Sequence, residues 1–497
     1  MDISSCVCPI NGLPPEVMYH IFDHLDIDSL KSVSLACKRW GQLFSEYAAR
    51  RFTLSIRGEL AKTLSCHTAG RHTRGGEKIA SAATILQRTE RVYRKVRLEV
   101  RSPVRKKSSN EYMETVLRML CVPPMLQKLV VLKLELEQDS DHYFQQISDA
   151  VTKMEYLQEL HLLPRDARPL WPLTALPSPC NNLRLVSHSL TTLVLRVILP
   201  GEIDCSNLRH LEYDASLYMD GVVGEQYAHN RGQESKWKLK QLETLKITGR
   251  DAWPKDAETV QNRPGYKVLF YQQLTQLKKL CLDQQFIPDR ILLVVCESCV
   301  LLEELYIRCL RMVNNNTLRY LSNLTHLRRL GIYMLNASVP FYVSGLHSLE
   351  MLALGPVVLD PQSFTAPQSF KWLKITPYKV KQMCDAIEQN LGQLEFLWIV
   401  IKSSISDVSK ELFMLVYKMF ALKTLVLENI DCVPTVTLAK MPRLFMLTRL
   451  AVFTSSEAAL KTIDDKIAIL ADLTPNVKRI EVGLHAPSGP DDVFRFR

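Results

Sequence analysis

The spacing of apolar residues changes character near residue 52. Before that point it follows a helical period, with Val17, Met18, Ile21, Phe22 and Leu25 recurring on one face. Leu13-Pro14-Pro15-Glu16 is a helix start, because proline is tolerated in a first turn and Glu16 favours the positive end of the helix dipole. Asp28 is placed to cap a second helix carrying Leu30, Val33, Ala36 and Cys37, and a third carries Trp40, Leu43, Phe44 and Tyr47. Three such helices cannot bury this much apolar surface among themselves, since a unit of about 40 residues is marginal without a staple or partner. The surplus predicts docking, either onto the rest of the chain or onto another protein.

After residue 52 a different phrase takes over: an apolar residue, two others, an apolar residue, one other, an apolar residue. It stands at Leu129/Leu132/Leu134, Leu157/Leu160/Leu162 and Leu190/Leu193/Leu195, and recurs fourteen times as far as Val477/Ile480/Val482, with a mean step of about 27 residues. The closing apolar-x-apolar unit is a period-two strand with both apolar side chains on one side. Between strands lie helical stripes: Tyr143, Phe144, Ile147, Ala150, Val151 and Met154; Met383, Ala386, Ile387 and Leu391; Leu412, Leu415, Val416 and Phe420. Phe52-x-Leu54-x-Ile56 and Tyr93-x-x-Val96-x-Leu98-x-Val100 read as two irregular opening strands. The step from Leu190 to Leu208 is too short for a helix, so a loop is expected there. The proline-rich 164–180 and the segments 214–236 and 249–265 read as excursions.

A short strand followed by a helix, stacked many times, gives parallel strands along a concave face and helices on the convex back. The cleanest copy is Cys299-x-x-Leu302-x-x-Leu305-x-Ile307-x-Cys309, followed by Asn314, Leu318 and Leu321. It resembles the cysteine-containing class of leucine-rich repeats. The expected fold class is therefore α/β, a leucine-rich-repeat horseshoe solenoid over 126–484 behind a small all-α unit at 11–51. A tail at 1–10, irregular opening repeats at 52–125 and a C-terminal tail at 485–497 complete the plan.

The helical unit carries a sharper resemblance. Leu13-Pro14-x-Glu16-Val17, then Ile21-Phe22-x-x-Leu25, then Leu30-x-x-Val33-Ser34-Leu35-x-Cys37-Lys38-Arg39-Trp40 is similar to an F-box motif in order and spacing over some 40 residues. The resemblance implies a face that binds the Skp adaptor of a cullin–RING ubiquitin ligase, with Leu13, Pro14, Ile21, Leu25, Leu30, Val33 and Trp40 as the adaptor-binding positions. The alternative for some of them, Trp40 and Leu43 above all, is packing inside the unit. In F-box proteins with leucine-rich repeats the repeats hold a protein target. With Leu330, Leu352, Leu373 and Leu397 inward, strand alternation turns Tyr306, Arg308, Arg329, Tyr333, Met351, Trp372, Lys374, Phe396 and Trp398 to the concave side. Tyr, Trp and Arg are enriched at binding hot spots, which makes this row the expected target surface, with Trp372 as its anchor. Because Phe396–Ile401 is apolar at every position, Phe396 and Trp398 pointing inward is the competing register, and a patch covered by the C-terminal tail Pro487–Arg497 or by one of the excursions is a second alternative.

Composition narrows the function classes. The 47% hydrophobic and 23% charged content suits a globular chain with a large core, and no apolar run is long enough for a membrane span. The start of the chain lacks the basic and apolar regions of a signal peptide. Thirteen cysteines without a disulfide framework read as reduced thiols, so a cytoplasmic or nuclear protein is expected. Nine of the twenty residues from Arg88 to Lys107 are basic and two are acidic, a local +7 within a formal +10. A solvated surface is the preferred reading of that stretch, ahead of a nucleic-acid contact. Cys296-x-x-Cys299 has no second pair at zinc spacing and reads as core thiols, while Cys6-x-Cys8 is equally weak. No phosphate loop, dinucleotide fingerprint, nucleophile elbow or zinc-protease helix is present, so no catalytic residue, metal or cofactor is expected. Two roles remain: the substrate receptor of an Skp–cullin–F-box ligase, and a scaffold or ligand sensor that binds the adaptor without directing degradation.

Overall fold

A computed structural model describes residues 9–57, 94–99, 126–136, 144–164, 180–196, 199–214, 237–249, 265–311, 317–334, 340–341, 345–359, 367–377, 380–390, 392–401 and 409–484. The expectations for Cys6, Cys8, Tyr93, Val100, Tyr143, Asn314, Leu391, the terminal tails, most of the basic stretch and most of the excursions lie outside these residues. The described chain falls into two compact units, residues 1–208 with 236–238, and residues 209–235 with 239–497. An N-terminal helical region precedes a mainly parallel α/β body.

In the first unit, α1 (Pro15–Asp23) starts as the prolines require: Pro14 is extended and Pro15 takes the first helical position, with Glu16 in the first turn. Helix α2 (Ile27–Ala36) is capped by Asp26, not Asp28. Asp26 has the extended backbone of a cap and accepts the Ser29 N–H at 2.7 Å. Asp28 sits one turn in and pairs with Lys31 at 2.8 Å. Extended Cys37 breaks the chain into α3 (Lys38–Arg51).

Strands β1 (Leu54–Arg57), β2 (Lys95–Glu99), β3 (Val131–Leu136), β4 (Glu159–Pro164) and β6 (Thr192–Leu195) pair in parallel in that order. The two irregular opening strands are thus present. Val96, Leu132, Leu160 and Leu193 share one register row, as do Leu98, Leu134, Leu162 and Leu195, and all are buried. The helix Phe144–Lys153 buries Phe144, Ile147, Ala150 and Val151 as its spacing predicts.

The short step between Leu190 and Leu208 does not carry a loop on its back. Strands β5 (Cys180–Val186), β7 (Pro200–Asp204) and β9 (Trp237–Lys238) form a second parallel sheet there. Alternating Leu183 and Leu185, with Ile203, supply its buried positions, a period-two signal shorter than the repeat phrase that masks it. Ser148 of the neighbouring helix accepts the Arg184 N–H at 3.0 Å, and the buried Trp237 indole donates to the Pro200 carbonyl at 3.2 Å.

In the second unit the strands are β8 (His210–Asp214), β10 (Thr244–Thr248), β11 (Lys279–Pro288), β12 (Glu304–Arg311), β13 (Arg329–Met334), β15 (Met351–Leu359), β16 (Trp372–Pro377), β17 (Phe396–Val400), β18 (Thr424–Glu428), β19 (Arg449–Thr454) and β20 (Ile480–Leu484). Each pairs in parallel with the next, and the short β14 (Pro340–Phe341) joins the far end of β15. The repeat leucines stand level across them, so that Leu245, Leu280, Leu305, Leu330, Leu352, Leu373, Leu397, Leu425 and Leu450 form one buried row. Helices Asp289–Ser298, Val380–Asn390, Ser409–Lys418 and Asp464–Leu473 lie between strands. One helical stripe needs correcting. Leu412, Leu415 and Val416 are buried together with Phe413, but Phe420 falls beyond the last turn and is 80% exposed.

One position before each of the strands β8, β10–β13 and β15–β18 a second row runs through this unit: Arg209, Glu243, Lys278, Glu303, Arg328, Glu350, Lys371, Glu395 and Lys423. Successive rungs are joined by backbone hydrogen bonds of 2.7–3.0 Å, and charges alternate along these nine until Thr448, the rung before β19, ends the series. Side chains pair across neighbouring rungs, as in Lys278–Glu243 at 3.2 Å, Lys371–Glu395 at 3.0 Å and Lys423–Glu395 at 2.7 Å.

Candidate functional site

The helical region closes a small core and leaves other apolar residues outside. Met18 and Phe22 of α1, Leu30 of α2 and Leu43 and Tyr47 of α3 are buried together, with Leu13, Tyr19, Leu25, Val33, Trp40 and Phe44 packed against them. Polar ties fix the assembly. Tyr47 donates to Asp23 and Tyr19 to Glu46, both at 2.8 Å, while Arg39 donates to the Leu13 carbonyl at 2.9 Å.

The apolar stripe of α1 is therefore two stripes. The larger Met18 and Phe22 turn inward, whereas Val17 and Ile21, one turn apart, face solvent. On α2, Ile27 and Leu35 are also exposed, Leu35 at 85%. Of the seven adaptor-binding positions, Pro14 and Ile21 are exposed, and Leu13, Leu25, Val33 and Trp40 are half-buried against the core. Leu30 is the exception: at 2% exposure it belongs to the buried cluster with Met18, Phe22, Leu43 and Tyr47 and offers almost no surface to a partner. Val17, Ile27 and Leu35 are exposed apolar residues outside that set of seven. Period alone could not separate them from their buried neighbours, and only the packing of three helices does.

The second candidate is the strand face opposite the leucine row. Tyr306, Met351, Ala353, Trp372, Phe396, Trp398, Val426 and Ala451 form one cluster, with Tyr333, Val400 and Phe453 against it. The register turns all nine expected target-binding residues away from the leucines and gathers them on or beside this face. The competing inward register for Phe396 and Trp398 does not occur, since Leu397 and Ile399 take the leucine side.

What fails is their accessibility. Tyr306, Met351, Trp372, Lys374, Phe396 and Trp398 are buried, Trp372 to 5% exposure. Rings lie on one another instead of standing out: Trp372 stacks on Phe396 with centroids 5.0 Å apart, and Trp398 meets the edge of Trp372 at 6.5 Å. They also lean over small neighbours. A Cβ on Gly355 would come within 2.9 Å of the Tyr333 ring, and one on Gly483 within 2.9 Å of the Phe453 ring. Burial pushes the Tyr306 and Tyr333 hydroxyls well above the ordinary tyrosine range. Arg329 and Arg308 are half-buried and committed to carboxylates, Arg329 to Glu304 at 3.1 Å and Arg308 to Asp283 at 3.0 Å. Trp372 is thus a packing residue in this structure, not an open anchor.

Cys296 and Cys299 are buried, and burial raises both thiols to about 12, which makes them poor nucleophiles. Among the described residues no group of three or more His, Cys, Asp or Glu side chains is placed to hold a metal ion. Among them, too, no helix is long and apolar enough to cross a membrane.

The helical geometry meets an independent finding at this point: the F-box-like family model matches residues 10–55. Residues 10–55 form an F-box-like domain. An F-box-like domain is generally a protein-interaction module, and Val17, Ile21, Ile27 and Leu35 are apolar side chains that this one leaves exposed. A solved leucine-rich repeat protein from Bacteroides ovatus is similar to the chain at 7% identity, over 66% of this chain and 88% of its own, with a TM-score of 0.11. No curated protein matches the chain.

Proposed function

We propose that the chain is the substrate-recognition subunit of an Skp–cullin–F-box ubiquitin ligase. The F-box-like domain binds the Skp adaptor, and the α/β body, a leucine-rich-repeat horseshoe, holds a protein target. The observation that carries this reading is the exposure of Val17, Ile21, Ile27 and Leu35 on a domain whose own core is already complete. Apolar side chains left outside a finished core are the anchors on which interface energy concentrates.

In this reading the chain is not itself an enzyme. It raises the effective concentration of target lysines near a ubiquitin-loaded enzyme that the complex supplies. It works in the cytoplasm or nucleus with reduced thiols, and it needs no cofactor. A second reading, a scaffold that binds the adaptor without directing degradation, is favoured by one observation: the aromatic face expected to hold a target is packed on itself. Affinity purification of the full chain and of a variant lacking residues 10–55, followed by target lifetimes in cells, separates the two. Under the first reading a captured protein accumulates when the domain is removed. Loss of the adaptor with every captured protein's lifetime unchanged supports the scaffold.

A further inference from the structure

Lys374 is the foreign member of the aromatic face. It shares a register row with Tyr306, Gly331, Ala353, Trp398 and Val426, and it is 5% exposed. Its Nζ lies 3.6 Å from the centroid of the Trp398 ring and 3.5 Å from Glu428 Oε2. The same Glu428 oxygen accepts the Trp398 indole N–H at 2.9 Å. Trp398 in turn stacks with Phe453, their rings 18° from parallel, and meets Trp372 edge-on. One carboxylate oxygen therefore both aims the indole and faces the ammonium.

Nothing about packing requires a lysine here. Burying an ion pair carries a desolvation cost that an apolar side chain of similar volume avoids. Burial accordingly pulls the Lys374 ammonium below the ordinary lysine range, with Glu428 opposing the shift. Meanwhile Trp398, Glu428, Phe453 and Trp372 hold one another through bonds that do not involve Lys374. An indole face beside an oriented carboxylate is the combination that recognises an alkylammonium group.

We propose that Trp398 and Glu428 form an alkylammonium-binding site, of the kind that takes a lysine side chain, and that Lys374 is its resident occupant. A partner's ammonium group enters by displacing Lys374, so the Lys374–Glu428 contact closes this face. This inference does not depend on the ligase reading, since it concerns only the body's own side chains.

The test uses the full chain with Lys374→Ala and n-butylammonium as probe, with melting temperature and tryptophan emission as readouts. The variant is expected to show a saturable rise in melting temperature and a shift in emission with the amine. Neither n-butanol on the variant nor the amine on the wild-type chain at the same concentrations produces them. Adding Glu428→Gln abolishes the response. Equal effects of amine and alcohol, or no effect of either, overturn the site and leave Lys374 as filler. Should Lys374→Ala fail to fold, lysine-selective 13C labelling of the wild-type chain and of Lys374→Met decides. One ε-methylene signal, shifted upfield by the indole ring current, is expected in the wild type and must vanish in Lys374→Met; absence of any such signal overturns the proposal.

Discussion

The F-box-like domain and the aromatic face of the strand body are both rich in large apolar side chains, and they dispose of them in opposite ways. The domain puts Val17, Ile21, Ile27 and Leu35 in solvent, although its core of Met18, Phe22, Leu30, Leu43 and Tyr47 is closed. The face folds Trp372, Phe396 and Trp398 onto one another and onto adjacent strands. Both would be read from residue type alone as binding surfaces. The difference is one of neighbours. Parallel strands about 4.8 Å apart supply each side chain with a partner at the same level, so a row of rings can bury itself. A helix surface offers no such regular row of neighbours, and Val17, Ile21, Ile27 and Leu35 stay exposed.

Substitutions test this contrast, beginning where the effect is largest. Leu330→Asp places an unpaired carboxylate in the leucine row, at a cost of several kcal/mol, comparable to a domain's whole stability. Loss of the cooperative unfolding transition is expected. Arg329→Asp, next door on the opposite face, removes a partly exposed pair and should shift stability by about 1 kcal/mol or less in denaturant titration. Equal losses for the two would mean that the faces have been interchanged.

Trp372→Ala comes next. A buried tryptophan lost from a packed cluster costs about 3–5 kcal/mol, so this variant should melt well below the wild type. If its stability is unchanged, the ring stands free and the face is open after all. Within the F-box-like domain, Leu30→Ala should cost about 2–5 kcal/mol because Leu30 is core, whereas Leu35→Ala should stay within about 0.5 kcal/mol. Helical signal in a thermal melt reads both, and a reversed order would exchange the inner and outer faces of α2.

The smallest effect belongs to the charge ladder. Glu350→Lys puts a cation on the rung between Arg328 and Lys371, so that like charges stand on adjacent rungs. It should destabilise by about 1 kcal/mol or less at low salt. The loss should shrink toward zero at about 1 M salt, where the screening length falls to about 3 Å. A salt-independent loss would assign the effect to packing.

Much of this is legible in the chain itself. The three-residue and two-residue intervals of the repeat phrase place each leucine on one side of a strand, and every such phrase carries a strand in the structure. The helix start at Pro15 and the stripe from Phe144 to Val151 likewise follow from local rules. What is not legible depends on neighbours distant in sequence. Asp26 caps α2 because the chain enters from an extended turn, and the choice between Asp26 and Asp28 is set by that geometry. Leu183 and Leu185 found a second sheet through partners about 20 residues on. Strand alternation puts Trp372 and Lys374 on the right face, but their burial, and the packing of Trp372 against rings of the adjoining strand, cannot be read from one strand's pattern. The charge ladder is visible in principle, one position before each strand from β8 to β18 in the leucine series, and emerges only once the strands are aligned.

The claim at the centre is that the exposed face of the F-box-like domain binds an Skp adaptor. Its most direct measurement is capture of purified adaptor by the full chain, compared with the double variant Val17→Asp, Ile21→Asp. Both positions are exposed, so the variant should keep the wild-type melting profile. Interface anchors are often worth about 2 kcal/mol or more each, and two charges among them should weaken capture by roughly a hundredfold or more. Undiminished adaptor binding by the folded double variant would contradict the account.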